Sequence, residues 1–285
     1  MKAAAARARV HAWRFRTLEV ADRAFAGSPQ PLVSRGFAGA LLTVDTRRSN
    51  VQRLLALEGE RFVAERHLVR SVVGAGMHAI DVGANIGYYM LLLRQAVGAS
   101  GAVTCFEPEP DNLVELVRNV ERNAFTNVRV FPCALGSRND EITIARGINA
   151  SVLGRDTAGT PVSMRRLDDL VAGRVDFIKI DVEGYEGQVL RGAENLIREQ
   201  RPRLFVEVHP WLLASGDDTR SLLSRIEELG GKLRYFTLRS QTSLREKVRS
   251  RYLGQAVVAI SDPAVLVDER HGPRQEPFWV LTGGA

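Results

Sequence analysis

At 285 residues, 45% hydrophobic and 25% charged, the chain can hold one large α/β domain with an extension or two small domains, and its composition excludes disorder of the whole. The formal charge of +6 permits contact with nucleic acid, anionic lipid or an acidic small molecule but requires none of them, because Arg is scattered among Asp and Glu, as from Glu194 to Arg203. No run approaches the roughly 20 apolar residues of a transmembrane segment, the Ala/Arg-rich start lacks the apolar core of a secretion signal, and Cys105 and Cys133 match no metal or redox spacing; a cytoplasmic protein with buried thiols is expected.

Lys2 to Phe25 reads as a basic helix, ended by the cluster Gly27-Ser28-Pro29-Gln30-Pro31, because proline cannot continue a helical ladder. Leu32 to Asp45 reads as extended. Val51 to Val73 carries apolar residues at 54, 55, 57, 62, 63, 68 and 69, the spacing of one or two helices. These segments make up an N-terminal lead-in, residues 1–75, a candidate cap over the active site or an oligomer contact, which leaves a homodimer open.

From Met77 the pattern changes, and residues 76–285 read as one domain. Strands are expected at His78–Val82, Ala102–Phe106, Val128–Cys133, Val175–Asp181, Leu204–Val208, Leu233–Leu238 and Phe278–Thr282, with a short additional one at Glu141–Ala145. Helices are expected at Tyr88–Val97, Asp111–Asn123, Gly187–Glu199 and Thr219–Leu229. Strands alternating with helices of this length give a mostly parallel seven-stranded sheet covered on both faces, and ligands then bind beyond the carboxyl ends of its strands.

The first of these strands runs into Asp81-Val82-Gly83-Ala84-Asn85-Ile86-Gly87 and then directly into a helix. Gly83 and Gly87 permit a tight turn and a close backbone approach, the signature of a loop that receives a nucleotide-like cofactor at a helix N-terminus. Glu107 follows Gly87 by 20 residues at the end of the next strand, where a carboxylate can accept from both ribose hydroxyls. The position of the third glycine in a dinucleotide fingerprint is Tyr88, and the glycine falls at 87 instead. That spacing disfavours NAD.

Four blocks in order, Asp81 to Gly87, Phe106-Glu107-Pro108, Ala134-Leu135-Gly136 and Phe177-Ile178-Lys179-Ile180-Asp181-Val182-Glu183-Gly184-Tyr185-Glu186, resemble the successive motifs of FkbM-type methyltransferases across roughly residues 76 to 210. Asn85, where many other methyltransferases carry glycine, fits this subfamily. The resemblance implies a Rossmann-like class I methyltransferase fold and S-adenosylmethionine as cofactor. It implies that the loop with Asp81, Gly83, Ala84, Asn85 and Gly87 contacts the methionine part, that Glu107 contacts the ribose and Cys133 and Ala134 the adenine, and that Tyr88, Pro108, Asn112 and Asp181 are further cofactor contacts.

In the fourth block, strand alternation puts Lys179 and Asp181 on one side, with Asp181 at the carboxyl end where cofactor and acceptor should meet. A hydroxyl must lose its proton as it attacks a methyl group, and Asp181 is the first candidate for the base. Glu183, Glu207 and His209 fall at or just past neighbouring strand ends. They can join Asp181 as a base cluster or hold a divalent cation that acidifies the hydroxyl; alternatively, Glu183 or Glu186 only caps the following helix, and Lys179 simply pairs with one of the acids. Asn149 and Ser151, in the polar run 147–152, are candidate substrate contacts together with Glu183.

The expected reaction is O-methylation of a small or medium-sized hydroxylated substrate such as a sugar, glycolipid or secondary metabolite. A nucleic-acid methyltransferase is the alternative that the basic charge invites. Against it, the fourth block lacks the Asn/Asp-Pro-Pro-aromatic run that grips a flipped base, and its acids repel phosphate. A cofactor-binding module without catalysis is the third reading, and it requires the loss of the very acids present.

Overall fold

The computed structural model describes residues 32–48, 52–53, 55–56, 63–144, 152–153, 159–210, 212–214, 217–240, 255–259 and 278–283. The expected basic helix, and Asn149 and Ser151, lie outside these residues. Among the described residues no helix is long and apolar enough to cross a membrane. The chain divides into two compact units, 1–61 and 62–285.

In the first unit the extended stretch is a hairpin, β1 (Leu32–Phe37) against antiparallel β2 (Ala40–Asp45). Its two-residue turn, Ala38 and Gly39, has φ of 51° and 73°, the left-handed pair that matches the twist of the flanking strands. Asp45 then ties the chain locally: its carboxylate receives Arg47 at 2.7 Å and its backbone N–H donates to Gln52 Oε1 at 2.6 Å.

The second unit opens with α1 (Val63–Arg70), β3 (His78–Val82), α2 (Tyr88–Val97), β4 (Ala102–Phe106), α3 (Pro110–Arg122) and β5 (Val128–Phe131). A short two-residue strand β6 (Ala134–Leu135), β7 (Asp140–Ile144), β8 (Val152–Leu153) and β9 (Thr160–Arg165) follow. Next come β10 (Phe177–Ile180), α4 (Glu186–Gly192), α5 (Glu194–Gln200), β11 (Arg203–Val208), α6 (Thr219–Gly230), β12 (Leu233–Ser240), β13 (Gln255–Ala259) and β14 (Phe278–Thr282).

The main sheet runs β5-β4-β3-β10-β11-β14-β12-β13. The pairs from β5 to β11 are parallel and the three from β11 to β13 antiparallel. The expected seven strands are all present, and β13 adds an eighth at the outer edge of β12. The central strands β3, β4 and β10 are almost wholly buried, as parallel strands covered by helices on both faces must be, and their polar residues Asp81, Thr104 and Lys179 are buried with them. Strand order departs in both directions from β3 and β10. Such a switch point opens a crevice at the carboxyl ends of those two strands.

Local chemistry sets the helix starts. Pro110 occupies the first turn of α3 while the Glu109 side chain accepts the Asn112 N–H at 2.7 Å, and Asp218 accepts Ser221 N–H at 2.9 Å at the start of α6. On one face of the sheet Phe205 stacks on Trp279, with centroids 4.5 Å apart, and Tyr89 of α2 leans on both rings.

Three expectations are corrected. The helix expected at Gly187–Glu199 is two, α4 and α5, broken at Ala193, whose φ of −116° and ψ of 8° leave the helical range; the preceding Gly192 lies against the carbonyl of Gly136, where a Cβ would come within 1.9 Å of the oxygen. The strand expected to reach Cys133 ends at Phe131, so Cys133 lies between β5 and β6 rather than in a strand, though both thiols are buried and unpaired in disulfides. Between residue 145 and Val175, where no strand is expected, lie β8 and β9, which join β6 and β7 in a second sheet of order β6-β9-β7-β8.

Candidate active site

The turn after β3 is shaped by what it must approach. Gly83, at φ 73°, lies so close to the backbone of Asp181 that a Cβ would sit 1.9 Å from its carbonyl oxygen. Gly87, at φ 96°, forms the N-cap of α2 in a left-handed conformation, and a Cβ there would press on Leu116 and Met90 at 2.9 Å. Between them Asn85 holds φ 50°, which asparagine tolerates better than most residues, and its side chain turns back to accept Ile86 N–H at 2.9 Å. Ala84 is buried, and Tyr88 is buried in the first turn of α2 rather than exposed to the crevice.

Glu107, one residue past β4 and 4% exposed, organises the far side of this turn. It accepts Asn85 N–H on Oε2 at 2.7 Å and Glu109 N–H on Oε1 at 3.0 Å, with Asn112 Nδ2 at 3.5 Å. Burial, opposed by those two backbone donations, pushes its carboxyl up to about 7. Pro108, half-buried, leads into Glu109, and Asn112 bridges Glu109 and Glu107 instead of standing apart as a separate contact. Cys133 and Ala134 are both buried just past β5; burial raises the Cys133 thiol to about 11, so it stays protonated.

Parallel register pairs Lys179 of β10 with Asp81 of β3. Lys179 is 1% exposed; its Nζ donates to the Gly83 carbonyl at 3.0 Å and lies 3.2 Å from Asp81 Oδ1 and 3.3 Å from Asp181 Oδ2. The Tyr89 ring closes the ammonium from another side at 4.8 Å. Burial alone would favour the neutral amine, but the two carboxylates outweigh it and hold Lys179 above its ordinary value. Burial pushes Asp81 upward and Lys179 pulls it back. Lys179 thus pairs with both acids and links the turn to Asp181.

Asp181, Glu183, Glu207 and His209 are brought together as expected, at the carboxyl ends of β10 and β11. His209 Nε2 lies 3.6 Å from Glu183 Oε2 and 3.8 Å from Glu207 Oε1. Glu183 holds φ 51°, a strained conformation for a side chain that is not glycine or asparagine, which directs it back toward His209. Burial raises its carboxyl, with His209 opposing. The acid that sequence reasoning underrated is Glu186: fully buried, it accepts Gly184 N–H at 3.0 Å and lies 3.2 Å from His209 Nδ1. Burial favours the neutral imidazole, but Glu186, Asp181 and Glu183 more than offset this and raise His209 above its ordinary value. No local signal marks Glu186, whose partner is 23 residues away.

These residues fit the cofactor implied by the resemblance. Both Asp81 oxygens are buried without a well-aligned hydrogen bond, the turn at Gly83 and Gly87 has room for backbone only, and Glu107 Oε2, which accepts only Asn85 N–H among the bonds above, retains a second lone pair for a hydroxyl donor.

"Methyltransferase 1" of Beauveria bassiana (strain ARSEF 2860) is 25% identical over a stretch covering 41% of this chain and 58% of that protein. The crystal structure of methyltransferase FkbM from Methylobacillus flagellatus KT matches with a TM-score of 0.46 and 18% identity, covering 80% of this chain and 54% of that one. A Streptococcus mutans protein solved in complex with SAH matches with a TM-score of 0.45 and 12% identity over 79% and 99% of the two chains. The chain spans a little over half the length of the first two. The sequence profile of the methyltransferase FkbM domain matches residues 81–233, from the cofactor-type turn to the start of β12 and more than half of the sequence, and the chain belongs to that family.

Proposed function

We propose that the protein is an S-adenosylmethionine-dependent O-methyltransferase acting on a hydroxyl of a sugar, glycolipid or secondary metabolite. The observation that carries this reading is the contact of Gly83 with the Asp181 backbone, which puts the cofactor-type turn directly beside a cluster of acids and a histidine. When bound, S-adenosylmethionine supplies an electrophilic methyl group.

The chain's residues divide the remaining work. Glu107 takes the ribose hydroxyls, the Asp81–Gly87 turn and the N-terminus of α2 take the charged methionine end, and Cys133 and Ala134 flank the adenine. Asp181 accepts the acceptor's proton, with one carboxylate oxygen fixed against Lys179. Glu207 and His209 line the acceptor side, and Glu183 with Asn149 and Ser151 contacts the substrate. Carboxylates along this wall repel a phosphate backbone, which favours a compact hydroxylated acceptor over nucleic acid.

The test has two arms. Calorimetry with S-adenosylmethionine is expected to give one site per chain, and labelled methyl transfer into a panel of glycans, glycolipids and phenolic or polyketide hydroxyls is expected to label at least one. Absence of cofactor binding at millimolar concentration sinks the reading, and selective labelling of RNA or DNA replaces it.

A further inference from the structure

We propose that Asp181, Glu207 and His209 bind an octahedral divalent cation of the Mg2+ or Mn2+ class, which holds the acceptor oxygen beside the cofactor turn. This deepens, and rests on, the methyltransferase reading above. One ligand atom from each of the three residues lies within 4.8 Å of the other two. Around an ion with bonds of about 2.1 Å, ligands stand about 3.0 Å apart when adjacent and about 4.2 Å when opposite, so small side-chain adjustments close the shell. The three come from the carboxyl ends of adjacent parallel strands, β10 and β11, a rigid base for such a site.

A second observation is independent of that spacing. Glu186 lies outside the ligand set and is wholly buried, yet its Oε1 sits 3.2 Å from His209 Nδ1 while its Oε2 has no hydrogen-bond partner. A carboxylate on the far nitrogen is how metal-ligating histidines are oriented, with the other nitrogen turned to the ion. Here that other nitrogen, Nε2, is the one that faces Glu183 and Glu207. Three carboxylates, those of Glu183, Glu186 and Glu207, lie within 3.8 Å of a single imidazole, and that of Asp181, which also meets Lys179, stands within 4.8 Å. A protonated ring supplies one positive charge, and a divalent ion supplies two and leaves room for an oxygen ligand.

Two carboxylates and one imidazole make a set dominated by hard oxygen donors, with further positions filled by water or the acceptor. A hydroxyl on the ion is acidified. As its oxygen forms the bond to the methyl carbon, the carbon–sulfur bond breaks to leave a neutral thioether, and the hydroxyl proton passes to a carboxylate oxygen of the cluster that the ion does not use.

The test is titration of the chelator-treated full chain with Mn2+, following the free-ion signal by electron paramagnetic resonance. One Mn2+ per chain is expected, displaced by Mg2+. Affinity should fall at least about tenfold in Glu207→Gln, in Asp181→Asn and in Glu186→Gln, on the scale known for losses in metal-site shells, while Glu228→Gln, remote and exposed, binds as the parent does. Should one of the three variants fail to fold, the same loss is required of the others. Absence of binding, or equal affinity in the parent and the folded variants, overturns the proposal. Calorimetry with S-adenosylmethionine on the same samples separates the two readings: cofactor bound without Mn2+ removes the cation alone, and neither bound removes both.

Discussion

Lys179 and Asp81 face each other in register across two parallel strands, with 3.2 Å between Nζ and Oδ1 and neither side chain more than 1% exposed. The same ammonium reaches Asp181 and the Gly83 carbonyl. One cation therefore ties the turn at Gly83 to both Asp81 and Asp181.

Removing that cation should be costly. Lys179→Met leaves two carboxylates together without their shared partner, and breaking a buried pair from one side costs about 3–5 kcal/mol. At roughly 2–4 °C per kcal/mol for a domain of this size, calorimetric melting without cofactor should fall by about 10 °C. The double variant Lys179→Met/Asp81→Leu should recover part of the loss, because it no longer buries an unpaired charge at Asp81. A single variant that melts with the parent would show that the pair contributes little.

Glu107 sets a pH dependence with a definite sign. Its carboxyl titrates at about 7 in the folded, cofactor-free chain against an ordinary 4.5. The folded state therefore holds the proton more tightly, so the stability this group contributes is present below about 4.5 and is lost as pH rises through 7. Ribose hydroxyls donate to the ionised form, so cofactor affinity should move the other way, rising from pH 6 to pH 8 by about tenfold and then levelling. Calorimetry across that range checks it. Glu107→Gln should bind weakly and without this slope; a parent affinity flat across the range would mean that Glu107 does not meet the ribose.

Gly83→Ala should damage cofactor binding through the backbone. Its Cβ would fall 1.9 Å from the Asp181 oxygen, and alanine is strained at φ 73°. Turn and strand end must then separate, an overpacking loss of about 1–3 kcal/mol in stability with a matching loss of cofactor affinity. Gly98→Ala is the control, since it shares a positive φ of 68° but meets nothing within 4 Å. If both variants bind cofactor equally, contact with Asp181 is irrelevant and only backbone strain counts.

The sequence and structure agree where local chemistry decides. Helix α2 begins and ends where expected because glycines at 87 and 98 punctuate it, and β3, β4, β10 and β11 are predominantly apolar stretches, interrupted by a few polar residues, that a doubly covered sheet buries. Agreement fails where distant parts decide. Gly192, at the end of α4, packs on the carbonyl of Gly136, 56 residues earlier in the chain, and β9 reads as a polar stretch until its partners β6 and β7 are in place. In the site, alternation brought Lys179 and Asp181 to one side, but only strand register reveals Asp81 as the second partner. Glu186 looks like any acid at a helix start, and its contact with His209 exists only in three dimensions.

Asp181 carries the sharpest prediction about the reaction. Its backbone touches the turn while its carboxylate lies between Lys179 and the acid cluster, 24% exposed and so open to an acceptor. Asp181→Ala removes the carboxylate without moving the carbonyl that Gly83 packs against. Cofactor affinity should stay within a few-fold of the parent, while kcat falls by about 10²–10⁴, the range for losing a general base. A base role also requires that the residual rate climb with pH, because hydroxide or water then takes the proton. Single-turnover methyl transfer, with binding measured separately, distinguishes these effects. Activity within tenfold of the parent at neutral pH would move the proton-accepting role to Glu207 or His209, and an equal fall in cofactor affinity would assign Asp181 to the cofactor rather than to the acceptor.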